Sequence, residues 1–445
     1  MRLNNAATIE KKYTHEGARA ADHVSLTMQL RRSVMACLLW EDGFYESGEE
    51  VARRIQQLVT QVPAESVAQI AVEARTKMKL RHVPLLLACS LAKLPSHRHV
   101  VADLLAEVIQ RPDELTETLA IYQKLNERTG VKKLNRLSHQ VQRGLARAFG
   151  KFNEYQLAKY NRESEIKLRD VLFLTHPKPV GEGQEDLWSR LINNQLMTPD
   201  TWEVELSASK DKRASWTRLL EEGKLGALAL LRNLRNMKEA GVEEGLIREA
   251  LMELKAERVL PFRFIAAARY APQWEPELEQ AMFRCVADAE KLPGKTVIIV
   301  DNSCSMYGTK VSAKSDMDRS DAACVLAILV REVCDQAAII SFSTHAVPVP
   351  PRRGFALRDA IKSATEHGGT NTDNALALAA YEGYDRVIVI TDEQSHQAIR
   401  LPRTGSRGYF INVATDRNGI GYGPWTHIDG WSEAVVDYIR LAEQA

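Results

Sequence analysis

Apolar residues recur at helical spacing along the first two thirds of the chain. Val67, Ile70, Ala71 and Ala74 fall at i, i+3, i+4 and i+7, as do Val101, Leu104, Leu105 and Val108, and again Leu145, Ala148, Phe149 and Phe152. Start signals accompany the pattern. Pro84 opens HVPLLLACSLAKL, Pro112-Asp113-Glu114 opens the next run, and Pro199-Asp200 precedes a Trp-rich segment. Few stretches alternate apolar and polar residues between about 15 and 290. The spacing predicts helical hairpins stacked side by side, an α-solenoid of degenerate repeats without a fixed period.

After Leu292-Pro293-Gly294 the period changes. KTVIIV (295–300), QAAIISFS (336–343), RVIVIT (386–391) and YFINVA (409–414) are short apolar, β-branched runs. Helical segments are expected between and after them, at about 320–335, 357–364, 372–382 and 431–443. Strand–helix alternation with continuously apolar strands predicts a doubly wound parallel sheet covered on both faces. The expected organisation is therefore a helical-repeat domain over 1–292 and an α/β domain over 293–445.

Composition narrows the class. A chain of 445 residues is too long for one ordinary core. No run of about 18 apolar residues exists, so no membrane span is expected. The N-terminus MRLNNAATIEKKYTHEG has no apolar core of a secretory leader. The six cysteines (37, 89, 285, 304, 324, 334) form no C-x-x-C pair. That argues against a disulfide framework and a zinc site, and suits a reducing cytoplasm. The net charge of +1 hides segregation: residues 1–300 carry 45 Lys+Arg against 40 Asp+Glu, residues 301–445 carry 14 against 18, and 131–169 holds ten basic and three acidic residues. Such segregation is what a polyanion-binding surface needs.

The stretch 296-TVIIVDNSCSMYG-308 runs a buried strand straight into a carboxylate and two hydroxyls. In a doubly wound sheet, ligands bind beyond the carboxyl ends of the strands. Three segments deliver oxygens there: Asp301, Ser303 and Ser305 after the first strand, Thr370 in HGGTNTDNA, and Asp392 after RVIVIT. Singly, each would be read as a helix or turn cap. As a set of hard oxygens without imidazole or thiolate, they favour Mg²⁺ with at least one open coordination position. D-x-S-x-S, a Thr in a Gly-rich loop and a later Asp resemble the metal-ion-dependent adhesion site of von Willebrand factor type A domains. The resemblance implies that Ser303, Ser305 and Thr370 contact the metal, that Asp301 and Asp392 act largely through water, and that a partner carboxylate completes the site. Cys304 stands where Gly is common, and its side chain is expected to point away.

Within the basic segment, Lys132, Arg136, Arg143, Arg147 and Lys151 are spaced 4, 7, 4 and 4. On one helix they fall within an arc of about 100°, opposite the apolar set, and suit phosphate contacts. The segment 143-RGLARAFGKFNEYQLAKYNRESEIKLRDVLFLTHPKP-179 resembles the TROVE module of the Ro autoantigen family, through its K-Y, L-R-D-V-L-x-L and T-H-P-K-P. LRRSVMACLLWEDGFYESG (30–48) is similar to that family's start. The resemblance, to Ro proteins of bacterial or phage type, implies a ring of HEAT-like helical hairpins closed by a von Willebrand A domain. It implies binding of small structured Y RNAs on the outer face and of single-stranded ends of misfolded noncoding RNAs in a central hole. By position, Lys159, Arg169 and His176 match the family's RNA contacts; a further basic position lands on Glu163, leaving Arg162 beside it. Lys77, Lys79, Arg81 and His82 are candidates for an inner rim.

Enzyme signals are mostly absent. There is no G-x-x-x-x-G-K-[ST] and no G-x-S-x-G, and the G-I-G-Y-G at 419–423 has its third Gly misplaced for a dinucleotide fingerprint. His97 and His99 lack acidic or Cys companions and read as helix-start residues. The expectation is a non-enzymatic, monomeric, cytoplasmic RNA-binding scaffold in RNA quality control, with an exoribonuclease as partner for degradation. The competing reading is a metal-dependent protein adaptor paired with an AAA+ ATPase.

Overall fold

The structure, a computed structural model, describes residues 25–36, 48–127, 137–256, 259, 261–310, 317–392, 399–414, 425–429 and 434–444. The chain divides into two compact units, one built from Ser25–Cys37 and Val51–Lys255, the other containing Ala256–Ala445.

The first unit is helical. Its helices are α1 (Leu26–Ala36), α2 (Gly48–Val59), α3 (Ala64–Thr76), α4 (His82–Lys93), α5 (Val101–Val108), α6 (Pro112–Leu125) and α7 (His139–Phe149). They continue as α8 (Glu154–Tyr160), α9 (Leu168–Thr175), α10 (Glu182–Ile192), α11 (Trp202–Ala208), α12 (Lys212–Glu221), α13 (Ala227–Glu239) and α14 (Glu244–Met252). The predicted apolar stripes are buried: Val67, Ile70, Ala71 and Ala74 of α3, and Val101, Leu104, Leu105 and Val108 of α5. Helix α4 is apolar all round, and Val83 to Ala92 are buried without a break because α3, α5, α6 and α7 all pack on it. Gly144 lets α7 approach α5; a Cβ there would lie 2.8 Å from Leu105 Cβ.

The second unit opens with α15 (Phe262–Tyr270) and α16 (Glu275–Arg284), then becomes a sheet with helices α17 (Arg319–Glu332), α18 (Gly354–Ser363), α19 (Thr372–Glu382) and α20 (Ala434–Gln444). The strands are β1 (Leu292–Asp301), β2 (Cys334–Phe342), β3 (Ala346–Pro348), β4 (Arg386–Thr391), β5 (Arg407–Asn412) and β6 (Trp425–Asp429), in the order β3-β2-β1-β4-β5-β6. All neighbours are parallel except β2 and β3. Val297, Ile299, Val387, Val389 and Phe410 form the centre of one core layer with Ala375, Leu376 and Ala379 of α19. The architecture is a helical unit followed by an α/β unit with a six-stranded, mostly parallel sheet. Because β2 lies on one side of β1 and β4 on the other, the strand order reverses between β1 and β4, the place where such sheets bind ligands.

Two expectations need correcting. The basic stripe is not one helix: α7 starts after the N-cap Ser138 and its C-cap is Gly150, so Lys151 lies beyond it. Lys132 and Arg136 precede that cap and lie outside the described residues. The strands β3 and β6 are additional to the four predicted. The G-I-G-Y-G stretch lies outside the described residues. Among the described residues, no helix is long and apolar enough to cross a membrane.

Candidate metal centre and nucleic-acid surface

The oxygen cluster sits at the strand-order reversal. Val300 of β1 pairs with Ile390 of β4, so the next residues, Asp301 and Thr391, lie side by side. Thr391 Oγ1 donates to Asp301 Oδ2 at 2.6 Å, and the Ser303 N–H donates to Asp301 Oδ1 at 2.9 Å. Asp301, Ser303, Thr370 and Asp392 are buried, and Ser305 is half-buried. Ser303 Oγ and Ser305 Oγ are 3.3 Å apart. The Cys304 N–H donates to Gly368 O at 3.0 Å, and His367 Nδ1 lies 3.3 Å from Asn302 O, which brings the Thr370 loop against the loop after β1. Cys304 is exposed, in keeping with a side chain directed away from the cluster. Burial, with Asp392 opposite, pushes the Asp301 carboxyl up to about 7.

This donor set fits a hard divalent cation. Ligands at about 2.1 Å in octahedral geometry stand about 3.0 Å from their neighbours, close to the spacing of the two serine hydroxyls. Two buried carboxylates in one cluster also call for positive charge. Part of it comes from Arg319, at the start of α17, whose Nη1 lies 3.2 Å from Asp392 Oδ2. Among the described residues, no group of three or more His, Cys, Asp and Glu converges; the cluster depends on its hydroxyls.

The basic residues fall into two groups. Arg147 pairs with Asp103. The Lys151 amine reaches Ala106 O and, at 2.5 Å, Ile109 O, so it caps the C-terminal end of α5, the end of a helix that favours a cation. Burial lowers its pKa. Arg81 binds Asp113 and Glu117 at 2.9 Å each, and His82 lies 3.3 Å from Glu117. Lys79 donates to Thr76 O, while Lys77 forms the C-cap of α3.

The second group is displayed. Lys159, half-buried on α8, places its amine 5.9 Å and 6.0 Å from the ring centres of Tyr155 and Tyr160, a cation–π arrangement that leaves the charge accessible. Arg162 is exposed, Arg169 of α9 is half-buried, and Arg143 of α7 is exposed. His176 is exposed and ends α9 in the left-handed conformation at φ +45°, its N–H bonded to Leu172 O. That conformation turns the chain out of the helix before Pro177. Helices α8 and α9 both pack on α6, and α7 packs on α9. Glu163 is paired with Lys167 at 2.5 Å, which removes Lys167 rather than Arg162 from the free cations.

The TROVE domain family matches residues 38–194 and 192–284. The chain belongs to that family. Telomerase protein component 1 of Mus musculus is 24% identical over 48% of this chain, and that of Rattus norvegicus 22% over 48%. The chain spans 11% of the length of each. The crystal structure of the Deinococcus radiodurans RO (RSR) protein matches with a TM-score of 0.63 at 18% identity, covering 93% of this chain and 98% of that one; the likeness is one of fold. Together they place the chain in the TROVE family with the fold of that RO protein. All seven basic candidates from Arg143 to His176 lie inside the first TROVE match.

Sequence reasoning missed two residues of the TROVE protein's oxygen cluster. Thr391 could have been suspected, as the hydroxyl that ends RVIVIT. Arg319 carries no such signal: it sits in M-D-R-S-D, which reads as a helix cap, and it meets Asp392 73 residues later.

Proposed function

We propose that this TROVE-family protein binds RNA, holding small structured, Y-like RNAs on the displayed cations of α8 and α9 and engaging single-stranded ends of misfolded noncoding RNAs. The role is non-enzymatic RNA quality control, with an exoribonuclease as the degrading partner. The carrying observation is that Lys159, Arg169 and His176, the positions implied by the family resemblance, and Arg162, beside the further position that lands on Glu163, are at least partly exposed on neighbouring elements of the TROVE region. Misfolded RNAs share no sequence, so a receptor for them must use charge and shape. In the same reading the second unit binds Mg²⁺ through Ser303, Ser305 and Thr370, with Asp301 and Asp392 in support, and offers an open position to a partner's carboxylate.

Filter binding of a structured RNA at two salt concentrations tests the RNA reading. Affinity is expected to fall steeply with salt, and Lys159→Ala with Arg162→Ala is expected to weaken it. Absence of binding at low salt, or indifference to the double substitution, overturns the reading and leaves the adaptor alternative.

A further inference from the structure

The guanidinium of Arg319 is in an unfavourable place for a cation. It belongs to the first residue of α17, after the N-cap Asp318, where the helix presents its positive end. Its side chain is 4% exposed, and Asp392 is fully buried. A charge so placed needs a partner, and one of its partners is Asp392, the carboxylate beside the proposed metal position. Asp301, by contrast, is held from within by the Ser303 N–H and Thr391 Oγ1. The cluster thus carries one carboxylate bound by neutral donors and one in contact with a permanently charged side chain.

We propose that Arg319 is a tethered counter-cation of the oxygen cluster: it neutralises Asp392 when no divalent ion is bound, and ion binding displaces it. This rests on the metal reading above. With the guanidinium in place the net charge of the cluster is one unit less negative. An added divalent ion then meets a weaker field and a like charge nearby. Arg319 therefore lowers divalent affinity while keeping the metal-free domain folded.

Titration of the full-length protein with MnCl₂, followed by calorimetry and by the Mn²⁺ electron paramagnetic resonance signal, tests this alongside melts in EDTA. Arg319→Gln keeps a polar donor but removes the charge. It is expected to bind Mn²⁺ at least tenfold more tightly than the natural protein, to melt lower in EDTA, and to recover on adding Mn²⁺. Arg319→Lys keeps the charge and is expected to stay within threefold of the natural affinity. Equal or weaker Mn²⁺ binding by Arg319→Gln overturns the proposal, as does a Gln variant unfolded with and without Mn²⁺, or a Lys variant as tight as Gln. If no form binds Mn²⁺ at millimolar concentration, the metal reading itself fails and the displacement role falls with it, whereas equal binding by all forms removes only the role of Arg319.

Discussion

The two units handle charge in opposite ways. In the helical unit the residues proposed to meet RNA, on α8, α9 and the turn between them, are exposed or half-buried. In the sheet unit the functional oxygens are buried, hydrogen-bonded and delivered by three separate loops. The difference follows from the ligands. A phosphate backbone is long and is bound by a sum of weak, solvated contacts, whereas a small cation needs several oxygens within a few tenths of an ångström of fixed positions. Exposed charge serves the first purpose and buried charge the second. Buried charge in the helical unit, such as Glu114 with Arg75, then belongs to the fold rather than to RNA.

The largest expected effect tests that last point. Glu114 is fully buried, accepts from Arg75 at 2.8 Å and from the Gln110 and Arg111 N–H groups, and closes the start of α6. Glu114→Ala leaves Arg75 without its buried partner and is expected to cost about 3–5 kcal/mol in urea unfolding. A loss below about 1 kcal/mol would mean that the pair is no more than a surface contact.

The corresponding pair in the sheet unit joins Arg386 at the start of β4 to Glu443 of α20, at 2.5 Å through both carboxylate oxygens. Burial pushes the Glu443 carboxyl up, but the hydrogen bonds and charge of Arg386 outweigh it and hold the pKa below the usual range. A depressed carboxylate stabilises the fold above its unfolded pKa, about 4.3, and that contribution is lost as pH falls through the lower folded value. Glu443→Gln is expected to cost about 3 kcal/mol at pH 7 and to flatten the acid limb of the melting curve. An acid limb identical to that of the natural protein would assign it to other carboxylates.

A smaller effect concerns the metal. If Mg²⁺ binds at the oxygen cluster, a hundredfold excess over its Kd adds about 2.7 kcal/mol of stability. Asp301→Ala is expected to abolish that increment while sparing RNA affinity. Loss of RNA binding in a folded Asp301→Ala protein would erase the division of labour between the two units.

Much of this was legible along the chain because the relevant forces are local. The buried faces of α3 and α5 follow from periodicity, and β1, β2, β4 and β5 follow from uninterrupted β-branched runs. What was missed depends on distant partners. Helix α18 begins at Gly354, three residues before its apolar pattern suggests, because Glu279 accepts the Phe355 N–H at 2.7 Å and supplies the cap from 76 residues away. Strand β3 is three residues long and ends in Pro348, an edge strand with little pattern to read. The basic stripe was over-extended although Ser138, a good N-cap residue, marked the helix start. Charge counting also treated all cations alike, and only contacts separate Lys151, docked on carbonyls, from Lys159, set among tyrosines.

That separation yields the finest test. Lys159→Ala with Arg169→Ala removes displayed charge, so stability is expected to change by less than about 0.5 kcal/mol. The slope of log affinity against log salt is expected to shrink by about 0.9 for each lost contact to duplex phosphate, or about 0.7 on a single strand. Lys151→Met should do the reverse. It removes the cation from the carbonyl end of α5 and is expected to cost about 1 kcal/mol with the salt slope unchanged. Measured side by side in urea and in filter binding, the two substitutions should move on different axes. A common axis would mean that the cation capping α5 and the cations on α8 and α9 do the same job, and that a cation's partners do not mark the RNA-facing set.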